Sequence, residues 1–525
     1  MSLRIHAALE PEREVETPFP DSRRVVLKFG GRSVATAENW AHIAQILRER
    51  IDEGLQPVVC HSALVGISNA LIKLLETAER GDDTDAIFDA IIAQHDALAA
   101  GLGVDPALTA GYFSEVEQLV AGVRLIGEVS PKIHARVLAT GELAATRLGA
   151  AYLRRIGFAV EWLDARDILR SASGPDSSER AAILSARCDF DSDPVLQARL
   201  DRIEGVVLTQ GFIARNEDGD TVLLGRGGSD TTGSYLASKL DAFRLEIWTD
   251  VPGFFSADPR IVPSARLIRA LHYQEAQEIA SAGGGILHPR SISPVRRSGI
   301  PLFLRSTLRP ELAGTVISGA VAVDSPQLKA ISSRSGITLV SMESLEMWHQ
   351  VGFLADAFSC FRRHGLSVDL ISTSESNVTV SIDVIQNVVD KDVIAALAED
   401  LGRYCRVRII EDCAAITLIG RRIRAILHEL GSVFETFEEQ QIHLLTQAAT
   451  DLNLTFVVNA EYAHKLVKRL HRLLVMRFRG GVFGDTFEQI SGAEPVPAID
   501  EIAPPWWLER ADELVQIGRE HGVLL

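Results

Sequence analysis

The sequence predicts an α/β first part, with a mainly parallel sheet sandwiched by helices, followed by two smaller α+β modules. Three observations carry this. Apolar runs at 25–29, 57–60, 206–210, 245–248 and 300–304 alternate with helix-spaced segments. That is the pattern of buried parallel strands joined by crossover helices. Several of these runs end in glycines and hydroxyl residues, at the strand end where open α/β sheets receive ligands. From about residue 328 the chain changes to short alternating strands and single helices, and it repeats itself. Ile337-Thr338-Leu339 recurs as Ile416-Thr417-Leu418, Gly352 as Gly431, and Asn377-Val378-Thr379-Val380 as Asn453-Leu454-Thr455-Phe456. Two copies of one supersecondary unit imply paired modules of a ligand-sensing or dimerising kind.

Bulk properties narrow the function. At 525 residues the chain has room for three or four domains. A net charge of −17 excludes a general nucleic-acid binder, which needs a basic face. The five cysteines are scattered, without the close pairing of zinc sites. Residues 1–24 are polar and acidic, unlike an export signal, and read as a flexible arm. No run approaches the length of a membrane span. A reduced, cytoplasmic protein fits these features.

The elements follow in order. Val25-Val26-Leu27-Lys28-Phe29-Gly30-Gly31 is a strand that breaks at a glycine pair, with Lys28 at its carboxyl end. Alone, Lys28 reads equally well as a surface lysine beside a turn. The strand at 57–60 leads into Ser62 and Ser68, suited to ligand contact or helix capping. Residues 71–148 are mostly helical, and Glu142 there reads by itself as a solvated charge. Next comes the stretch around which the chain is organised, Leu224-Gly225-Arg226-Gly227-Gly228-Ser229-Asp230, entering a helix. Glycines and a helix N-terminus turn backbone N–H groups toward an anion, and Arg226 adds a cation. Asp230 is costly beside an anion unless it meets a metal or an ammonium group. Trp248-Thr249-Asp250-Val251-Pro252-Gly253 ends another strand in a tight turn, continued by Phe255 and Asp258-Pro259-Arg260. The Walker phosphate loop is absent. Converging glycines, Lys, Arg and Asp point to phosphoryl transfer, which mainly needs positioning and charge neutralisation.

Four motifs in this order resemble the amino-acid-kinase family, specifically an aspartate kinase with tandem ACT domains. They are Lys28-Phe29-Gly30-Gly31-x-Ser33, Gly225 to Asp230, Trp248 to Arg260, and Leu287-His288-Pro289. The resemblance implies the amino-acid-kinase fold and two ferredoxin-like ACT modules. It implies transfer of the ATP γ-phosphoryl group to the β-carboxylate of L-aspartate. Lys28 and Asp230 would be catalytic. Ser62, Ser68, Glu142, Arg226 and Ser229 would bind aspartate, with Glu142 on its amino group. Lys28, Gly30, Gly31, Ser33, Thr249, Asp250, Phe255 and Arg260 would bind the nucleotide. Mg²⁺ would be held by phosphates and water, with no direct protein ligand set. Three positions depart from the family: Arg32 replaces Thr or Ser, Phe255 a hydroxyl-bearing aromatic, and Gly285 a lysine near the nucleotide. Loss of that cation would weaken ATP binding unless Arg32 supplies a charge from another side.

The resemblance extends to regulation. Gly352 would take an effector's α-carboxylate and Asp369 its side-chain ammonium, with Ser367, Thr373 and Ser374 completing the pocket. Read from the residues alone, Asp369 is either such a receptor or a strand-end turn residue; between Val368 and Leu370 on a strand taken as buried, it needs a partner. Lysine is the expected effector and threonine its competitor. The second repeat has Gln441-Ile442-His443-Leu444 where the first has the Asp369 segment, which suits pairing more than sensing. ACT pairing implies a homodimer or larger. The expected domains are 25–320 (catalytic), 328–410 and 411–476 (ACT), then 477–525 as linker and C-terminal helix. Pro504-Pro505-Trp506-Trp507 resembles the junction of a fused aspartate kinase/diaminopimelate decarboxylase, so the chain reads either as the kinase half of such a fusion or as a kinase with a C-terminal helix of its own. A non-catalytic amino-acid sensor and a different amino-acid kinase are the alternatives.

Overall fold

The computed structural model describes residues 16–172, 178–320, 327–343, 352–384, 391–425, 441–475 and 482–492. Part of the N-terminal arm, the 344–351 stretch of the effector motif, Gly431 and the 493–525 tail with its Trp pair lie outside the described residues.

The first part is built on an eight-stranded sheet. Its order is Ala270–His272, Thr315–Ser318, Leu302–Ser306, Arg244–Thr249, Arg24–Phe29, Gln56–His61, Val206–Gln210, Val160–Trp162. Every neighbouring pair is parallel except Leu302–Ser306 with Thr315–Ser318. The central strands are buried along almost their whole length, which is why they read as continuous apolar runs. Helices cover the sheet. The longest, Pro131–Arg155, starts at a Ser130 cap with Pro131 in its first turn.

The second part is one six-stranded sheet, ordered Ile371–Thr373, Asn377–Asp383, Gln327–Glu343, Arg406–Arg421, Asn453–Asn459, Leu444–Gln447. This corrects the expected ACT boundaries. The two long strands run antiparallel from Gln327 opposite Arg421 to Glu343 opposite Arg406, through bulges near 329, 336 and 338. The first half of Gln327–Glu343 therefore lies beside 414–421, in the half-sheet that Asn453–Asn459 completes. Its second half joins Asn377–Asp383. Each module borrows a strand from the other, so neither is a continuous stretch of sequence. A repeat identifies equivalent strands, but pairing depends on long-range register, which the repeat does not encode.

The cores follow the same division. The catalytic core is continuous with Leu328, Ile331, Ile416, Leu418, Phe456, Leu466 and Leu470 of the second half-sheet. The first half-sheet has its own core, including Met342, Phe353, Phe361, Val380 and Leu397. Fully buried Lys329 spans the junction, its Nζ 2.7 Å from Glu275 Oε2, while Arg421 Nε lies 3.3 Å from Glu275 Oε1. Asn453 Nδ2 donates to Glu278 Oε2 at 2.6 Å.

The expected linker after 476 is corrected as well. Phe483–Thr486 pairs with Arg266–Ile268 of the first part, and the following turn packs Phe487 on Phe255 at 5.7 Å between ring centres. Residues 482–492 are thus a docked return to the first part.

Candidate active site

Four parallel strands end together. In register, Phe29 lies beside His61 on one side and Trp248 on the other, and His61 lies beside Gln210. Loops 30–33, 62–66, 211–212 and 249–253 therefore leave one edge of the sheet. They are also stitched together: Gly30 N–H donates to Trp248 O and Ser62 N–H to Phe29 O. A Cβ on Gly31 would sit 2.7 Å from Ala63 O, and one on Gly211 2.6 Å from Ser229 Cβ. These glycines allow loops to approach more closely than any side chain permits.

The organising stretch forms the entry to the helix Gly228–Lys239. Gly227 is its cap in the left-handed conformation, with φ of 69°, and no side chain caps the helix. Its free N–H groups and positive dipole end face the loops. Asp230, in the first turn, has Oδ1 2.5 Å from Lys28 Nζ, and both side chains are largely buried. The acid among the glycines thus meets an ammonium group of the same chain. Arg226 is exposed and makes no hydrogen bond or ion pair among the described residues. Cys60 lies beneath this pair, its thiol pushed up to about 12 by burial.

Glu142 is the largest departure from its reading as a solvated charge. It is only 2% exposed. The Pro131–Arg155 helix passes under the 62–64 loop so closely that a Cβ on Gly141 would sit 2.9 Å from Ala63 Cβ. Glu142 Oε1 accepts from Ala63 N–H at 3.2 Å, and Oε2 is buried with no partner. Burial pushes its carboxyl up to about 8. A neutral acid with one idle oxygen is prepared for a ligand that brings a positive charge.

The nucleotide set divides. Thr249 and Asp250 stand at the strand end beside Gly30. Arg32 Nη1 is 2.5 Å from Asp250 Oδ2, so the cation expected to compensate for Gly285 is held by an acid. That guanidinium, with the Thr249 hydroxyl, keeps the Asp250 carboxyl below its usual range despite burial. Arg260 is solvent-exposed and forked onto Asp258. Ser33 is buried, accepting from Thr307 Oγ1 and donating to Trp248 O, beneath the loop it was expected to serve. Phe255 is buried, its ring packed edge-on against Phe487. Ser68 is half-buried in the first turn of a helix capped by Gly66, and is not itself the cap.

In the second part, Asp369 lies just before the edge strand Ile371–Thr373, not on a buried strand. Its partner is internal: Arg334 Nη2 is 3.1 Å from Asp369 Oδ2, and Arg334 Nη1 is 3.4 Å from Asp383 Oδ2. Burial and Asp383 still raise the Asp369 carboxyl above its ordinary value. Gly352, with φ of 97°, caps the helix Phe353–Arg363. Ser374 closes the turn to Asn377, and Thr373 is exposed beside it.

Sequence reasoning missed two residues at the first site. His288 packs so closely on Gly227 that a Cβ there would sit 2.2 Å from His288 Cβ. Phe212 holds a positive φ of 71°, rare for a bulky residue, and its ring covers Gly228. His288 lies in the Leu287-His288-Pro289 motif named above, which gave it no role; Phe212 leaves no sequence signal.

Parallel strands, a glycine turn at a helix N-terminus, a buried Lys–Asp pair and an idle buried acid define an α/β protein with a polar site at its strand ends. Comparison with known proteins agrees. The amino acid kinase family model matches residues 23–306. Lysine-sensitive aspartokinase 3 of Escherichia coli (strain K12) is 34% identical over 462 residues, covering 86% of this chain and 99% of that protein. Chloroplastic aspartokinase 3 of Arabidopsis thaliana is 32% identical, over 85% of this chain and 80% of that protein. Among solved structures, E. coli aspartokinase III with aspartate and ADP (R-state) matches with a TM-score of 0.74 at 33% identity, covering 86% of this chain and 99% of that one. Its complex with lysine and aspartate (T-state) matches with a TM-score of 0.69 at 32% identity, covering 86% and 100%. The chain belongs to the amino acid kinase family and, within it, to the aspartokinases.

Proposed function

We propose that the chain transfers the γ-phosphoryl group of ATP to the β-carboxylate of L-aspartate, giving 4-phospho-L-aspartate and ADP, the opening step of lysine, threonine and methionine synthesis. The observation that carries this is the buried, unpartnered Glu142 Oε2 beneath the 62–64 loop, which leaves the same sheet edge as the strand that carries Lys28. A plain anion site has no use for an idle acid, whereas an amino-acid substrate brings an ammonium group to it. The attacking carboxylate is already ionised at neutral pH, so the reaction needs no strong base. Its oxygen forms the new bond to the γ-phosphorus while the bond to the β–γ bridging oxygen breaks toward ADP. Lys28 neutralises charge on the transferring group, and Asp230 holds Lys28 in place. Arg226 clamps one substrate carboxylate, while Ser62, Ser68 and Ser229 add hydrogen bonds. Gly30, Gly31, Thr249, Asp250 and Arg260 receive the nucleotide, Arg260 by leaving Asp258. Mg²⁺ would enter with ATP, held largely by phosphates and water.

Lysine is the proposed feedback effector, bound near Gly352, Ser367, Asp369, Thr373 and Ser374. A side-chain ammonium suits the Asp369 carboxylate, and threonine has none to offer. The lysine would share or displace Arg334. Dimerisation through the regulatory sheets is part of the proposal: edge strands Ile371–Thr373 and Leu444–Gln447 expose Ile371 and Leu445. A hydroxamate assay for the acyl phosphate, with ATP, Mg²⁺ and aspartate, tests the reaction. Aspartate-dependent product inhibited by lysine is expected; folded protein that yields none refutes it.

A further inference from the structure

Arg290 stands at the rim of the glycine turn, outside the set of residues assigned to aspartate. It follows the Leu287-His288-Pro289 segment, which is pinned to the helix Gly228–Lys239. Ser234 Oγ donates to Ser291 O, and Ser291 Oγ donates to His288 O at 2.6 Å. Arg290 N–H donates to His288 Nδ1 at 3.2 Å, while Arg290 Nη1 donates to Ser185 Oγ at 3.1 Å. Ser185 Oγ lies only 2.8 Å from where a Cβ on Gly225 would sit. The guanidinium is therefore tethered one hydroxyl away from Gly225, the residue before Arg226.

We propose that Arg290 is a second carboxylate-receiving residue for aspartate, acting beside Arg226 on the solvent side of the turn; this rests on the aspartate-kinase reading. Its partner is the first argument. Arg32, Arg260 and Arg334 are each held by carboxylates. Arg290 is held by a neutral hydroxyl and, among the described residues, by no acid. A guanidinium has five donors in a planar fork, so most of Arg290's remain available to a carboxylate. The second argument is charge. A chain of net charge −17 repels an anionic substrate at long range, and local cations at the mouth of a site reverse that field. Burial first, and then Arg290 and Arg226, depress the charging of His288, while Asp230 opposes them, so one small region holds two arginines beside that imidazole.

The contact is made in ground state and transition state alike, so its loss should appear in KM and not in kcat. In Arg290→Gln the KM for aspartate should rise roughly three- to tenfold, with kcat and the KM for ATP little changed. The fall of kcat/KM for aspartate with added salt should become shallower, because a steering charge is gone. Arg290→Lys should retain the salt dependence, and Ser185→Ala, which removes only the tether, should raise KM less than Arg290→Gln. Unchanged KM and salt dependence in Arg290→Gln would overturn the inference, as would an equal rise in both KM values with a lowered Tm. Wild-type protein run alongside separates the two failures. Inactive wild type refutes the kinase reading, while active wild type with an indifferent Arg290→Gln refutes only the role of Arg290.

Discussion

Aspartate binding should expel a proton, and Glu142 is the reason. Its carboxyl stands near 8 because burial penalises the charged form more than the backbone N–H groups of Ala63 and Glu142 support it. At pH 7 such a group is about nine-tenths protonated. The substrate's ammonium brings the charge that burial withheld, so Glu142 ionises as aspartate binds. Calorimetry in buffers of different ionisation enthalpy should find roughly 0.9 proton released per aspartate at pH 7 and little above pH 9. Aspartate affinity should accordingly weaken about tenfold per pH unit on going below 8. Glu142→Gln keeps the shape without the titration and should show neither effect, along with a higher KM for aspartate. The same shift bears on stability. An acid whose folded pKa is raised binds more protons folded than unfolded between its ordinary value of 4.5 and about 8. Its contribution is fully present below 4.5 and is lost as pH rises through 8, a difference of up to about 5 kcal/mol. Proton-neutral aspartate binding in wild type, or the same pH dependence in wild type and Glu142→Gln, would refute this reasoning.

Other perturbations separate the remaining parts. Lys28→Met should lower kcat at least about a hundredfold with smaller changes in KM, read in the hydroxamate assay, since it removes charge stabilisation at the transferring group. Lys329→Met leaves Glu275 buried beside the more exposed Arg421 and should destabilise by about 3–5 kcal/mol, measured by denaturant unfolding. The double change Lys329→Met with Glu275→Gln should recover part of that loss, because no uncompensated charge remains. Asp369→Asn should raise the lysine concentration for half inhibition at least about tenfold, read from inhibition curves. Arg334→Gln should also shift that curve, because Arg334 holds Asp369 and its Cβ sits 3.2 Å from the Cβ position on Gly283 of the first part.

The sequence by itself determined the sheet and where to look on it. Apolar runs marked the parallel strands because those strands are buried on both faces. Glycines after them marked the ligand edge, since only glycine allows loops to approach so closely. Tertiary structure alone decided what the charges do. Glu142 looks like any acid on a helix until the 62–64 loop closes over it; Asp230 gains its reason from Lys28, some two hundred residues away. Arg32 is paired with Asp250, and Asp369 with Arg334, partners that no local pattern announces. The repeat announced two regulatory modules but not their exchange of strands. Burial, ion pairing and strand register are relations between residues distant in the chain, and no local pattern of residue types records them.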